Sequence, residues 1–174
     1  MRDVRGDVVR RQLKADHGVD VARVRSICGY LIHGQTEQET IAQRVDDLFA
    51  DPIIEQGATN TILLSTDMFD GTPDAVITVG FKPGVTDNPG KAATDGFLTL
   101  FPHDREAKIA TYLTYAFYGL PSDCDVAWLA GTLHNNLIER ALTADRDACQ
   151  AREWPEILSL VHISEPTRHV DISY

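Results

Sequence analysis

Histidine and cysteine side chains, which often ligate metals or act as nucleophiles, are spread along this chain without a spacing that gives them a shared task. The six histidines form no H-x-x-x-H or H-x-x-E-H pattern of the kind that presents two imidazoles to zinc: His17, His33, His103, His134, His162 and His169. The three cysteines, Cys28, Cys124 and Cys149, are far apart and form no C-x-x-C pair. The sequence therefore predicts neither a metal site nor a disulfide framework, and it is typical of the reducing cytoplasm.

Cys124 has the wrong neighbours for a nucleophile. It stands between Asp123 and Asp125, and two carboxylates raise the pKa of a thiol, whereas a nucleophilic cysteine needs a lowered pKa. We therefore interpret Cys124 as a small residue in the first turn of a helix.

The segment from Gly84 to Gly90 combines glycine and proline at the start of a predicted helix, so it could cradle a phosphate at a helix N-terminus. It lacks the Gly-Lys-Ser/Thr of a P-loop and the G-x-G-x-x-G of a dinucleotide turn. Asp87 would occupy the same backbone donors and repel an anion. We interpret Asp87 as the N-cap, with Pro89 in the first turn, where its missing N–H costs nothing.

Two glutamates and three aromatic residues complete the candidates. Glu55 and Glu139 recur at matched positions, and a carboxylate that recurs in a duplicated scaffold more often serves the fold or an interface than catalysis. We interpret Tyr30 and Tyr115 as packing residues and Trp128 as a core residue. The sequence thus predicts no catalytic, cofactor-binding or metal-binding residue.

The composition is that of an ordinary globular chain: 174 residues, 43% hydrophobic and 24% charged. The net charge of −10 argues against a nucleic-acid partner or an anionic membrane surface. No apolar run approaches the roughly 20 residues that span a bilayer, and the charged start of the chain predicts no secretory signal. Residues 1–25 are net basic, and we interpret them as the solvated face of a helix rather than a phosphate-binding patch.

The first part of the chain predicts helix, strand, helix and strand. The expected spans are a helix from Arg5 to Ala15 ended by Gly18, a strand from Val21 to Ile32 ended by Gly34, a helix begun by a Thr36–Glu39 capping box and ended at Asp51-Pro52, and a strand near Ala58–Leu64. Apolar stripes are expected at Val4, Val8, Val9 and Leu13, at Val24, Cys28, Tyr30 and Ile32, and at Ile41, Val45, Leu48 and Phe49.

The second part predicts the same order after an additional strand. The expected spans are a strand from Ala75 to Phe81, a helix from Pro89 to about Leu100, a strand from Ala107 to Tyr118 ended by Gly119, a helix capped by Ser122, and a strand from Ile138 to Leu142. The stripe of the second helix is expected at Val126, Leu129, Leu133 and Leu137.

The two parts align at a nearly constant offset of 84 or 85 residues. Asp3 and Gly6 match Asp87 and Gly90, Tyr30 matches Tyr115, and a third anchor consists of Ile54-Glu55 and Ile138-Glu139. We interpret this as a tandem duplication in which the first copy lacks its opening strand. The predicted fold is α+β, a two-layer sandwich of tandem β-α-β-α-β units that form a pseudo-dimer.

The segment from Leu158 to Tyr174 resembles the in-frame translation of a sequencing adapter, so we expect it to be a non-native tail; the alternative is a genuine C-terminal strand. The natural gene is then expected to continue past Ile157 and to begin before Met1. The predicted organisation is a first unit over 1–66, a linker over 67–74, a second unit over 75–145, the start of a linker over 146–157 and the tail over 158–174. Without its opening strand, the first unit is expected to leave an open sheet edge, and the fragment is expected to be poorly soluble.

Three segments resemble phosphoribosylformylglycinamidine synthase of purine biosynthesis, and more narrowly its small PurS-type subunit. They are Val79–Ala93 with its D-x-x-G element, Val24–Tyr30 with its V-R-x-x-x-Y element, and Asp47–Glu55 with its D-P-I-I-E ending. The second unit departs from this pattern, since Leu137 replaces the proline before Ile138-Glu139. The resemblance covers about residues 2–145.

The resemblance implies a non-catalytic, cytoplasmic N-terminal scaffold of a long form of this glutamine- and ATP-dependent ligase. Such a part bridges the synthase and glutaminase domains or subunits and helps to shield ammonia passage. ATP and magnesium are expected in other domains of the enzyme, and no catalytic residue is carried over to this chain. The alternative is a small-molecule-sensing regulatory module of ferredoxin-like type, and a third hypothesis is a small enzyme that uses Glu55 or Glu139.

Overall fold

The computed structural model describes residues 3–44, 49, 56–59, 71–153 and 167–173. Its helices are α1 (Val4–His17), α2 (Gln38–Ala42), α3 (Asn88–Leu100), α4 (Val126–Leu133) and α5 (Arg146–Ala151). Its strands are β1 (Arg23–His33), β2 (Gln56–Thr59), β3 (Ala75–Phe81), β4 (Lys108–Tyr118), β5 (Glu139–Ala144) and β6 (Thr167–Ser173).

The strands form one sheet in the order β2-β6-β1-β4-β3-β5, and every neighbouring pair is antiparallel. The two longest strands, β1 and β4, pair over their full length at the centre, with Arg23 opposite Tyr118 and His33 opposite Lys108. The fold is α+β, as the alternation of strand and helix patterns predicted.

One face of the sheet carries α1, α2, α3 and α4. Val9 and Leu13 of α1 and Leu129 of α4 pack in one buried cluster with Ile77 and Phe117 of the sheet. A second cluster on the same face joins α2 and α3 to β1 and β4; its members include Ile32, Ile41, Phe97 and Ile109. Burying each such side chain stabilises the fold by about 1.5–3 kcal/mol, so these clusters hold the helices to the sheet.

The opposite face carries α5, which the sequence analysis assigned to a linker. Cys149 of α5 is fully buried in a cluster that includes Ile27, Leu31, Val76 and Tyr112. Asp145 caps this helix by accepting a hydrogen bond from the backbone N–H of Ala148 at 3.0 Å. The helix is six residues long, too short to show a periodic stripe, so its burial comes from the sheet it covers.

Most predicted spans are confirmed to within two or three residues, but the helix expected to continue to Asp51-Pro52 is wrong, since α2 already ends at Ala42 with Gln43 as its C-cap. Gly18 ends α1 with a left-handed φ of 69°, and Asp87 caps α3 with Pro89 in its first turn, as expected. The stripe of α1 was wrong in part, because Val9 and Leu13 are buried whereas Val4 and Val8 are exposed. The four valine and leucine positions cover more of the helix circumference than one buried face can hold.

Four local predictions around α2 and α4 are wrong. Thr36 forms no capping box, because its hydroxyl donates to Asp104, and the N-cap of α2 is Glu37, without a side-chain cap bond. Ser122 is not the cap of α4, since Asp125 accepts from the backbone N–H groups of Ala127 and Trp128. Leu137 lies beyond the end of α4 and is 84% exposed, and Trp128 is 43% exposed rather than part of the core.

Several predicted positions lie outside the described residues: Val45, Leu48, Asp51-Pro52, Glu55 and residues 60–64 of the strand expected near Ala58–Leu64. Residues 56–59 of that region form β2. Residues 167–173, which were left out of the predicted fold, form β6 between β2 and β1. The open edge predicted for β1 is therefore paired from Ile27 to His33.

Candidate functional site

The aspartate that caps α1 also ties this helix to β1. Asp3 is buried, and one of its carboxylate oxygens accepts from the backbone N–H of Gly6 at 2.7 Å. The same oxygen accepts from the Ser26 hydroxyl at 2.9 Å, and the other oxygen accepts from the backbone N–H of Ser26. One carboxylate therefore satisfies a helix end and a strand together.

The aspartate that caps α3 makes the same set of contacts to β4. Asp87 accepts from the backbone N–H of Gly90 at 2.7 Å and from the backbone N–H of Thr111 at 2.6 Å. The Thr111 hydroxyl donates to the carboxylate at 3.0 Å. Asp87 accepts the Gly90 N–H of the first turn and places its carboxylate where a phosphate would bind, so the segment from Gly84 to Gly90 forms a capped helix start, as interpreted from the sequence.

A glycine in the first turn of each helix allows the close approach to the strand. A Cβ on Gly6 would lie 2.2 Å from the carbonyl oxygen of Val24, and a Cβ on Gly90 would lie 2.5 Å from the carbonyl oxygen of Ile109. Both obstacles are backbone atoms of the strand, which a side-chain rotation cannot move. In the spacing D-x-x-G, the aspartate therefore caps the helix, and the glycine three residues later lets the first turn contact the strand.

We call these two sets of residues the first joint (Asp3, Gly6, Val24, Ser26) and the second joint (Asp87, Gly90, Ile109, Thr111). Helix residues of the two joints are 84 positions apart and strand residues 85 positions apart, the offsets found in the sequence. The serine and threonine partners were not predicted, although aligning the two copies places Ser26 on Thr111.

The centre of the sheet follows the same correspondence. Cys28 lies opposite Leu113, which is 85 residues further along the chain. Because the strands are antiparallel, a residue two positions after Cys28 lies opposite a residue two positions before Leu113. Thus Tyr30 lies opposite Thr111, and Ser26 lies opposite Tyr115. Tyr115 is buried among the core residues, and Tyr30 packs against Phe49 with ring centroids 4.7 Å apart, so both tyrosines are packing residues as interpreted.

Another carboxylate, that of the buried Asp104, was missed by the sequence analysis and holds the turn after β1. Asp104 accepts from the backbone N–H groups of Gln35 and Thr36 at 2.8 Å and from the Thr36 hydroxyl at 2.7 Å. Burial raises the pKa of Asp104, but these hydrogen bonds and the nearby His103 outweigh burial and leave the pKa below its ordinary value.

The lowered pKa of Asp104 predicts a pH-dependent contribution to stability. A carboxylate with a depressed folded-state pKa stabilises the fold above its unfolded-state pKa of about 4, and this contribution is lost as the pH falls through the folded-state value. We expect Asp104→Asn to lower the free energy of unfolding at pH 7 by about 1–3 kcal/mol. The difference from the parent chain should shrink at pH 3, as measured by urea unfolding at both values.

The control for this prediction is Asp95→Asn, which removes an exposed carboxylate of α3. It should change the free energy of unfolding by less than about 0.5 kcal/mol at either pH. A deficit of Asp104→Asn that is equally large at pH 3 and pH 7 would show that the charge of Asp104 contributes nothing to stability.

Glu139, Cys124 and Cys149 make local contacts or lie in local surroundings that give them no catalytic role in common. Glu139 lies at the start of β5 and accepts from the backbone N–H of Asn135 at 2.8 Å, which closes the turn after α4. Cys124 lies just before the N-cap of α4 rather than in its first turn. Burial, Asp123 and Asp125 raise the pKa of the Cys124 thiol, in the direction predicted. Burial, with Asp145 and Asp74, raises the pKa of Cys149 to about 12.

The basic residues of α1 pair with groups near them. Arg10 approaches Asp7 at 4.0 Å, Lys14 binds Asp20 at 2.9 Å, and Arg5 donates to the sulfur of Cys28 at 2.8 Å. This arrangement fits the interpretation of a solvated helix face.

Within the described ranges, no group of three or more histidine, cysteine, aspartate or glutamate residues could hold a metal ion. No described helix is long and apolar enough to cross a membrane.

Comparison with known proteins identifies no relative: no protein-family model, no curated protein and no solved structure matches the chain.

Proposed function

We propose that this chain is a non-catalytic scaffold of a phosphoribosylformylglycinamidine synthase, built from two PurS-like units in tandem. In this proposal the units form a pseudo-dimer that acts in the cytoplasm and bridges the synthase and glutaminase parts of the enzyme. The chemistry, in which ATP and glutamine-derived ammonia convert an amide to an amidine, belongs to those other parts, as do ATP and magnesium.

The observation that carries the proposal is the pair of joints. The D-x-x-G element that gives the resemblance consists of Asp87 and Gly90, and both residues contact β4 in the second joint. The V-R-x-x-x-Y element begins at Val24, whose carbonyl oxygen lies against Gly6 in the first joint. Three residues of the resemblance, Val24, Asp87 and Gly90, thus lie where a helix is attached to a strand.

The pairing of β1 with β4 supports the pseudo-dimer. Two equivalent strands that pair antiparallel about their own midpoint make an isologous contact, in which each residue meets the counterpart of its partner. The pair of Cys28 and Leu113 stands at that midpoint. The sheet runs continuously through both proposed units, so each partner of a bridge could bind at one of its two ends.

The experiment that tests the bridge uses an enzyme of this family whose PurS-type subunit is a separate protein. The full chain is mixed with the purified synthase and glutaminase polypeptides of that enzyme, without its own small subunit, and the mixture is examined by sedimentation velocity. We expect one complex that contains all three polypeptides. Failure of the chain to bind either polypeptide would contradict the proposal.

Thermal unfolding distinguishes the sensor alternative. A sensor binds its effector in the folded state only, so the effector raises the midpoint of unfolding. We expect no rise with amino acids or nucleotides at millimolar concentration. A reproducible rise with one of them would favour the regulatory module over the scaffold.

A further inference from the structure

The edge of β1 that faces away from β4 is paired with β6. In the predicted duplication, this place belongs to the missing opening strand of the first unit, the equivalent of β3. In the second half of the sheet, β3 lies between β4 and β5. In the first half, β6 lies between β1 and β2, the counterparts of β4 and β5. From the centre outward, the strand order is β1-β6-β2 on one side and β4-β3-β5 on the other, so β6 and β3 hold equivalent places.

The register of β6 matches that of β3 on both sides. Val79 of β3 lies opposite Leu113 of β4 and Ala141 of β5. Ile172 of β6 lies opposite Cys28 of β1 and Gly57 of β2. Cys28 and Leu113 are counterparts, and Gly57 and Ala141 are separated by the same 84 residues that separate Ile54 from Ile138. Ile172 thus takes the position of Val79 in the ladder.

The two strands differ in chemistry, although their places match. β3 is Ala-Val-Ile-Thr-Val-Gly-Phe, contains no charged residue and is buried on both faces over its first six residues. β6 is Thr-Arg-His-Val-Asp-Ile-Ser and includes arginine, histidine and aspartate. The surroundings offered by β1 are apolar on both faces, since Ile32 on one face and Ile27 and Leu31 on the other are buried. The place therefore suits a strand like β3 better than one like β6.

We propose that the edge of β1 from Ile27 to His33 is a strand-acceptor site, which β6 occupies within this chain and which binds an extended, uncharged peptide rich in β-branched residues. Main-chain hydrogen bonds supply much of the affinity in such β-augmentation, so an imperfect strand can fill the site, while alternate side chains give specificity. This inference goes beyond the scaffold function and depends on no synthase or glutaminase.

The first test fixes the register of β6 in the full chain. Residues directly opposite on antiparallel strands have Cα atoms about 4.5–5.5 Å apart, within the range a disulfide spans. Ile172→Cys should therefore form an intramolecular disulfide with Cys28 on mild oxidation, identified by peptide mass mapping. Asp171→Cys is the matched control; it lies opposite Gly29, and its side chain should point to the other face. If Ile172→Cys forms no disulfide with Cys28, or if both variants link to Cys28 equally, the proposal is overturned.

The second test empties the site and offers it a peptide. Val170→Pro removes a backbone donor from the middle of β6 and should displace this strand from β1 and β2, while the pairing of β1 with β4 and of β4 with β3 is unchanged. We use a fluorescent peptide whose strand is the uncharged sequence of residues 75–81, with one lysine outside it at each end for solubility, and a control peptide with proline at the position of Ile77. The variant should bind the first peptide at least ten-fold more tightly than the parent chain, whose own β6 competes at high effective concentration.

Equal binding by the parent and by a variant whose β6 is displaced, so that Ile172→Cys added to it no longer links to Cys28, would overturn the proposal, as would equal binding of the proline peptide. If Val170→Pro fails to fold, the Ile172→Cys variant replaces it: the oxidised form, with β6 locked on β1, should bind the peptide more weakly than the reduced form, and equal binding by the two forms would overturn the proposal. Both tests use this chain and a peptide only, so their failure is distinct from a failure of the three-part complex to form.

Discussion

Replacing Gly6 with alanine is expected to lower the free energy of unfolding by about 3 kcal/mol, and Gly90→Ala by a similar amount. In each case the new methyl carbon would lie within 2.5 Å of a strand carbonyl oxygen, that of Val24 or Ile109. Relief requires the helix to move away from the strand, which stretches the hydrogen bonds made by Asp3 or Asp87. Urea unfolding of the two variants and the parent chain measures the effect.

Gly131→Ala is the matched control for these substitutions. Gly131 lies inside α4, and an added Cβ there meets no atom within 4 Å. Alanine is favoured over glycine in a helix interior by about 0.5–1 kcal/mol, so this variant should be more stable than the parent. If all three alanine variants change the stability alike, the two glycines are not contact points and the joints are not close-packed.

Replacing Asp87 with alanine is expected to lower the free energy of unfolding by about 3 kcal/mol or more, and Asp3→Ala by a comparable amount. Loss of an N-cap costs about 1 kcal/mol. Each of these aspartates also accepts a backbone N–H and a hydroxyl from a strand, and leaving those donors unsatisfied adds about 1–3 kcal/mol. Urea unfolding at pH 7 gives the comparison.

Asp125→Ala separates the cap from the tie to the strand. Asp125 caps α4 through the backbone N–H groups of Ala127 and Trp128. Its loss should cost about 1 kcal/mol, the value of a cap alone. An Asp87→Ala variant that is no less stable than Asp125→Ala would contradict the dual role of the joint.

Local signals in the sequence predicted the elements that build the joints. Asp87 followed by Pro89, and Gly18 after an apolar run, fix where helices begin and end, because capping and left-handed φ depend on few neighbouring residues. The long strands β1 and β4 were predicted for a similar reason, since eleven residues each give enough alternation to recognise.

Predictions that depended on distant partners were wrong. Thr36 and Glu39 match a capping box, but Asp104, far along the chain, takes the Thr36 hydroxyl. Trp128 lies beside an apolar stripe, yet its ring meets the ring of His17 of α1 edge-on, with centroids 5.2 Å apart, and stays partly exposed. Residues 167–173, which were set aside as part of an adapter-like tail, form β6; their origin stays a prediction, and their pairing needs only an extended backbone.

The predicted duplication depends both on local sequence signals and on contacts between distant residues. Three sequence anchors suggested it, and the contacts of the two joints recur at the same offsets. These contacts support the duplication, which stays a prediction together with the scaffold function proposed from it.

The most direct test of the scaffold is the ratio of glutamine-driven to ammonia-driven amidation. A bridge that shields ammonia affects only the route from glutaminase to synthase, so it changes the glutamine reaction and leaves the reaction with added ammonia unaltered. The full chain is added to the synthase and glutaminase polypeptides without their own small subunit, and both rates are measured. We predict that the chain raises the glutamine-driven rate several-fold with no change in the ammonia-driven rate. An unchanged ratio would contradict the account.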